Sequence, residues 1–326
     1  MKKMLFGAMA LAMVTACTSD NAVTETPDLT AEASLVDKRM CPSEEIRSEM
    51  LANDPSARAR LSEIEENTAK FVNNKALGKV LADGTLEIPV VVNVLYRTSA
   101  ENISDAQIQS QIDVLNADYS GTNADATKIP TEFQPLAAGN TGIKFKLVKT
   151  VRKSTKVRSW RTNDAMKLAS KGGIDATSPA NYLNMWVVGD MGGILGYATF
   201  PESAGLWNDG VVMAAKYFGV TSYAPYNLGR TTTHEVGHYL NLRHIWGDGT
   251  CATDYVADTP TQQDKNFGKP SYPQIDVCGG VSRSIMFMNY MDYVDDAAMF
   301  MFSAGQKDRM QAIVASTGVR AGLRLY

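Results

Sequence analysis

The run Thr233-His234-Glu235-Val236-Gly237-His238-Tyr239-Leu240-Asn241-Leu242-Arg243-His244 holds all three histidines of the 326-residue chain. On a helix, residues i and i+4 share a face, so His234 and His238 can offer ring nitrogens to one metal ion. Glu235 stands beside the first of them, where a carboxylate can take a proton from water activated by that ion. His244 cannot stay on the same face if the helix continues. The chain must therefore turn sharply after Leu240, and Asn241 is the residue after glycine that best tolerates the positive φ required. Three histidines leave one tetrahedral position open for water, as a catalytic zinc needs and a structural one does not. Zn2+ is the expected cofactor.

Outward from this run, Ile88–Tyr96 is β-branched and apolar, as a buried strand is. Ser104 to Gln107 forms a capping box, with Ile108, Ile112, Leu115 and Tyr119 on one face of the helix it opens. Alternation at Ile143, Phe145 and Leu147 predicts a half-exposed strand, and 182–188, 193–200 and 210–214 predict three more. Beyond residue 246 the chain reads as irregular until a last helix begins at Ser303. Strands and helices, one central helix and then loops imply an α+β domain with an upper mixed sheet and an irregular lower subdomain.

At the N-terminus, Lys2 and Lys3 precede an apolar run, Met4 to Val14, too short for a membrane span of about 20 residues. Residues 1–16 are expected to be a signal peptide. Val14-Thr15-Ala16-Cys17 resembles a bacterial lipobox, which makes Cys17 the lipidation site of a surface or outer-membrane lipoprotein. Residues 18–37 carry five acids and no bases, the composition of a solvated tether. Residues 17–60 are assigned to tether and pro-segment, and 61–326 to the catalytic domain. Three cysteines remain beside Cys17. Closing the turn-rich loop between Cys251 and Cys278 is the expected bridge, although three thiols allow three single bridges. Cys41 is then a leftover thiol, and a metal would explain it. A net charge of −3 offers no basic excess for nucleic acid.

Downstream lies Met286-Phe287-Met288-Asn289-Tyr290-Met291-Asp292-Tyr293. With the extended histidine motif, this resembles the metzincins, whose Met-turn runs under the metal. That turn, Asp258-Thr259-Pro260 and Phe302-Ser303-Ala304-Gly305-Gln306-Lys307 look like the pappalysin family. The resemblance covers most of residues 86 to 320, including Leu195-Gly196-Tyr197-Ala198. It implies that Met291 is the Met-turn methionine, that Tyr293 supports the oxyanion, and that Cys41 after Arg39 is a cysteine switch holding zinc in a latent zymogen. It also implies calcium after the third histidine, where Asp254, Asp258 and Thr259 could supply oxygens. A preference for a basic residue after the scissile bond would fit Asp295 and Asp296, which follow the Met-turn. The chain departs from the family at Asn241 and Pro42, where glycine is more usual, and at Ala298, where relatives carry a cysteine.

The function expected is a zinc endopeptidase acting on proteins or peptides, held at the membrane only by its lipid and released on processing. Substrate would lie extended along Gly193–Ala198. Ser56-Ala57-Arg58-Ala59-Arg60 is expected to be exposed, with self-cleavage before Arg58 or Arg60. A catalytically silent binding lipoprotein on the same scaffold is the rival, and the intact Glu235 argues against it. A zinc amidase or deacetylase is disfavoured by the expected peptide-binding edge.

Overall fold

In the computed structural model, residues 38–73 and 85–323 are described, all within one unit, Val36–Tyr326. The signal peptide, the lipidation site Cys17 and the acidic tether lie outside the described residues. None of the described helices is long and apolar enough to cross a membrane.

Two helices come first, α1 (Ser43–Asn53) and α2 (Pro55–Asn73), separated at Asp54. The sheet has five strands in the order β2-β1-β3-β5-β4. Strands β1 (Leu86–Tyr96), β2 (Ile143–Ser154), β3 (Leu183–Val188) and β5 (Val211–Ala214) run parallel. The edge strand β4 (Gly196–Ala198) pairs antiparallel with β5. Helix α3 (Asp105–Ser120) is capped by Ser104, whose hydroxyl accepts from the Gln107 amide, and ends at Gly121 with φ 65°. The zinc-motif helix is α4 (Arg230–Tyr239), and α5 (Ala304–Val314) closes the domain.

The strand alternation divides the interior. Val90, Val92 and Val94 of β1 face Ile108, Ile112, Leu115 and Tyr119 of α3, together with Val236 and Tyr239 of α4. Leu95, Trp186, Val188 and Val212 face the other way, onto Trp160 and Met166.

Four expectations change. The strand expected over Ile143–Leu147 extends to Ser154, as a lysine-rich outer strand that discourages further pairing. The strand expected over 193–200 shrinks to Gly196–Ala198, since Gly192 and Gly193 take φ of 62° and 93°. A hairpin, β6 (Ile275–Cys278) and β7 (Val281–Ser284), stands inside the supposedly irregular region. Its turn is Gly279-Gly280, both at positive φ, a two-residue hairpin signal that was legible in the sequence. Finally, 56–60 is helical: Ser56, Arg58 and Ala59 are exposed as expected, but on the first turns of a helix and not on a loop. Proline favours the first position of a helix, and Pro55 begins α2. Ala57 is fully buried, and the expected boundary between residues 60 and 61 falls inside a continuous helix.

Cys251 is bonded to Cys278 at the end of β6, with Cα atoms 5.6 Å apart. Replacing both cysteines by alanine should lower the unfolding free energy by about 2–4 kcal/mol in denaturant titrations, because the unfolded chain regains the entropy of an open loop.

Candidate active site

Helix α4 is short and begins Arg-Thr-Thr-Thr, a poor helix-forming start, yet every residue in it is buried. Tertiary hydrogen bonds replace propensity. Thr232 donates to Gln111 at 2.7 Å, and Thr233 donates to Asp118 at 2.8 Å. The Arg230 guanidinium bridges Asp118 and Asp125, and Tyr290 donates to Asp118 at 2.9 Å. Asp118 thus ties α3 to the start of α4 and to the turn beneath it.

The three imidazoles converge. Nε2 of His238 lies 3.2 Å from Nε2 of His234 and 3.1 Å from Nε2 of His244. Each Nδ1 points away to an acceptor: that of His234 to the carbonyl of Tyr290 at 2.7 Å, that of His238 to the carbonyl of Leu242 at 2.8 Å and that of His244 to Asp248 Oδ1 at 2.5 Å. Those acceptors hold the proton on Nδ1 and leave an Nε2 lone pair on each ring facing one point. Burial, then the neighbouring imidazoles, pushes His234 down in pKa, and burial does the same for His238. Three lone pairs this close repel unless a cation lies among them. Tetrahedral zinc with Zn–N of about 2.0–2.1 Å sets its ligands about 3.4 Å apart, so the donor set fits that ion.

Asn241 carries φ 75°, which turns the chain so that His244 can return. Its carbonyl accepts from Arg309 of α5 at 2.8 Å. Below α4 lies Met291. A Cβ on Gly237 would stand 2.4 Å from the Met291 sulfur, so the glycine between the two histidines is the condition for that contact. Asn289 and Gln306 exchange side-chain hydrogen bonds at 2.8 and 3.0 Å, fastening this turn to the first turn of α5. Trp246 stacks flat on His244, with ring centroids 4.3 Å apart.

Cys41 arrives from the N-terminal segment. Its Sγ and the three histidine nitrogens lie within 4.8 Å of one another, the only such cluster among the described residues. Glu235 Oε2 is 3.3 Å from that sulfur and accepts from Ser43 at 3.1 Å, while Oε1 has no hydrogen-bond partner among the described residues. Burial pushes the Glu235 carboxyl up to about 7, against the lowering effect of Cys41 and Ser43. Burial, aided by Glu235, also raises the Cys41 thiol. Tyr293 donates its hydroxyl to the Cys41 carbonyl at 2.9 Å.

The family model of peptidase M43, described as pregnancy-associated plasma protein-A, matches residues 174–315, which include all three histidines and the Met-turn. An extracellular metalloprotease of Uncinocarpus reesii is 32% identical over 252 residues, covering 74% of this chain and 82% of its own. This chain belongs to the pappalysin family of zinc metalloproteases. Extracellular metalloprotease 1 of Coccidioides posadasii is 33% identical, covering 73% and 82%. Among solved structures, Tannerella forsythia mature mirolysin with a cleaved peptide is 46% identical, with a TM-score of 0.71, covering 74% of this chain and 96% of that one. A promirolysin variant from the same organism is 41% identical with a TM-score of 0.79, and covers 88% and 98%. The metzincin fold expected from the sequence is the fold found.

In this pappalysin the two acids after the Met-turn part company. Asp296 is wholly buried, takes Arg39 on Oδ1 at 2.6 Å, and accepts the Leu228 amide at 2.8 Å on Oδ2; Asp295 is half-exposed. The three residues considered for calcium are used within the protein. Asp254 accepts from Thr259 at 2.8 Å and from the Val256 amide at 3.0 Å. Asp258 accepts from Ser303 and from the Gly305 amide, and a Cβ at Gly305 would stand 2.6 Å from its Oδ1. Sequence reasoning missed Asp248, Asp118 and Arg230. Asp248 carried a signal, lying one helical turn's spacing beyond His244, whereas the Asp118–Arg230 pair is non-local.

Burial pushes Asp254 up to about 6. A buried acid whose folded pKa exceeds its unfolded one destabilises the fold when ionised, so stability should rise as pH falls from 6 towards 4. Asp254→Asn should remove that dependence and add on the order of 1–2 kcal/mol at pH 7 without added metal, read by denaturant titrations at several pH values. A calcium-dependent gain in stability, lost in the variant, would instead assign the carboxylate to an ion.

Proposed function

We propose that this protein is an exported endopeptidase made as a latent zymogen, with the segment around Cys41 as its inhibitor. The carrying observation is the placement of Cys41 Sγ within 4.8 Å of all three histidine nitrogens, beside Glu235. His234, His238 and His244 would hold the zinc, which would supply the Lewis acidity that activates water and polarises the peptide carbonyl. Glu235 takes the proton from that water and delivers it to the leaving amine. Tyr293, whose buried hydroxyl is raised in pKa and stays a donor, supports the oxyanion. In the latent form Cys41 Sγ would join the three histidines in holding the metal, and its carbonyl takes the tyrosine hydroxyl.

The specificity reading follows from Arg39. Its guanidinium is buried against the Tyr226 ring, donates to Thr231 at 2.9 Å and pairs with Asp296. We infer that Asp296, rather than Asp295, is the acid that receives a basic side chain after the scissile bond, with Arg39 holding its place. The Ala198 amide on edge strand β4 donates to Ser43 Oγ at 2.9 Å, which supports substrate pairing along that edge once the segment leaves. The relatives named extracellular support export, and the lipobox at Cys17 supports an N-terminal anchor. Since α2 is continuous, the pro-segment ends before Pro55 or after Asn73, and the smaller share matched by mature mirolysin than by promirolysin favours the latter.

Two variants test this. Glu235→Ala should keep about one equivalent of zinc by elemental analysis and lose at least a thousandfold in peptide hydrolysis; retained activity would sink the mechanism. Cys41→Ala should render the full-length chain self-processing without added protease. If it stays as latent as its parent, Cys41 is not the switch.

A further inference from the structure

The latent site holds a second buried arginine that its zinc chemistry does not use. Arg47, on α1, gives Nε to Glu202 Oε1 at 2.9 Å, and its Nη2 reaches the same oxygen. Its guanidinium lies 4.3 Å over the Phe200 ring, and that ring packs 5.0 Å from His238. Glu202 is completely buried, and its other oxygen, Oε2, has no hydrogen-bond partner among the described residues. Both Phe200 and Glu202 belong to the segment that leaves β4, the edge proposed for substrate.

Arg39 and Arg47 flank Cys41 in the chain, and each ends on a buried carboxylate of the catalytic region, Asp296 and Glu202. Cys41, at the metal cluster, stands between the two arginines in the chain, and the carboxylates they reach lie on separate segments, Asp296 after the Met-turn and Glu202 after β4. We propose that Glu202 and Phe200 form a second acidic subsite, which binds a basic side chain before the scissile bond. The proposal rests on the specificity reading above, because Asp296 defines which side follows that bond.

Physical chemistry favours this over a clamp that serves latency alone. A carboxylate buried against one arginine suffers an uncompensated desolvation cost if the pair is broken and the site stays dry. Departure of α1 opens Glu202 to the cleft beside an aromatic platform, a carboxylate and π-face combination suited to a guanidinium. Arg47 loads a single oxygen, so a substrate guanidinium entering along the cleft can also use Oε2 and make the two-oxygen fork that α1 does not.

The test uses the processed enzyme and quenched peptides that keep arginine after the scissile bond. Arginine, its neutral isostere citrulline, and glutamate are placed in turn at each of the three preceding positions. At one position, arginine should raise kcat/KM over citrulline by about tenfold, and glutamate should lower it. In Glu202→Gln the arginine-to-citrulline ratio should fall to within about twofold, and Glu202→Lys should turn the preference towards glutamate. The readout is a ratio within one enzyme, so a general loss of rate does not imitate it. Equal kcat/KM for the three peptides in the wild-type enzyme would overturn the proposal, as would a ratio that survives Glu202→Gln. A parallel series varied only after the scissile bond reads Asp296 separately, so either subsite can fail without the other.

Discussion

Three imidazoles whose Nε2 lone pairs face one point, that of His238 only 3.1–3.2 Å from the other two, are an unfavourable assembly on their own, and most of the lower half of the protein exists to impose it. Two of the rings are oriented by backbone carbonyls, those of Tyr290 and Leu242, and not by acids. Backbone acceptors are set by chain path, so the site demands a fixed path for two separate stretches. The turn at Asn241 supplies one. The turn ending at Met291 supplies the other, and it fits under α4 only because Gly237 has no side chain to displace it. Gln306 then fastens that turn to α5, and Asp258 caps the same helix. The separate motifs visible along the sequence are one mechanical unit around one ion.

That unit was legible because its requirements are local. A histidine pair at helical spacing and an asparagine at the turn each state a backbone condition that a short stretch can reveal. The strands of the sheet were legible for the same reason, although polar β2 outran its apolar alternation and β4 fell short where glycines took positive φ. What stayed hidden is pairing over long separations. Nothing near Asp118 announces that it will meet Arg230, and nothing near Arg47 announces Glu202. The cleavage site expected at 58–60 fails for a different reason: Pro55 starts a helix, and that helix carries the two arginines.

Buried ion pairs contribute little net stability, because desolvation offsets most of their attraction, whereas breaking one by removing a partner is costly. Arg39–Asp296 and Arg47–Glu202 therefore act more as registration than as adhesive. Two guanidiniums on either side of Cys41 admit one alignment of the segment, and in that alignment the sulfur lies at the three histidines. A slip of one residue would leave two carboxylates buried without partners. Apolar contacts of α2, including buried Ile64 and Phe71, add the hydrophobic attraction that such pairs lack.

The departure at Pro42 has a physical reading in this light. A residue that favours helix entry stands directly after Cys41, and its carbonyl accepts the Ile46 amide as α1 starts. From Ser43 onward the backbone groups are spent inside a helix, so the edge strand's Ala198 amide meets a serine hydroxyl where an extended substrate would offer a carbonyl. The segment thus fills the cleft without presenting the continuous strand that a peptidase aligns for cleavage. Cys41 still offers its carbonyl to Tyr293, and Glu235 is occupied by the neighbouring thiol and hydroxyl. Every group assigned to the reaction is engaged, and the bond that follows Cys41 leads into a helix instead of along the edge strand. Latency of this kind needs no covalent block, only a chain that binds the machinery in a shape the machinery does not cut.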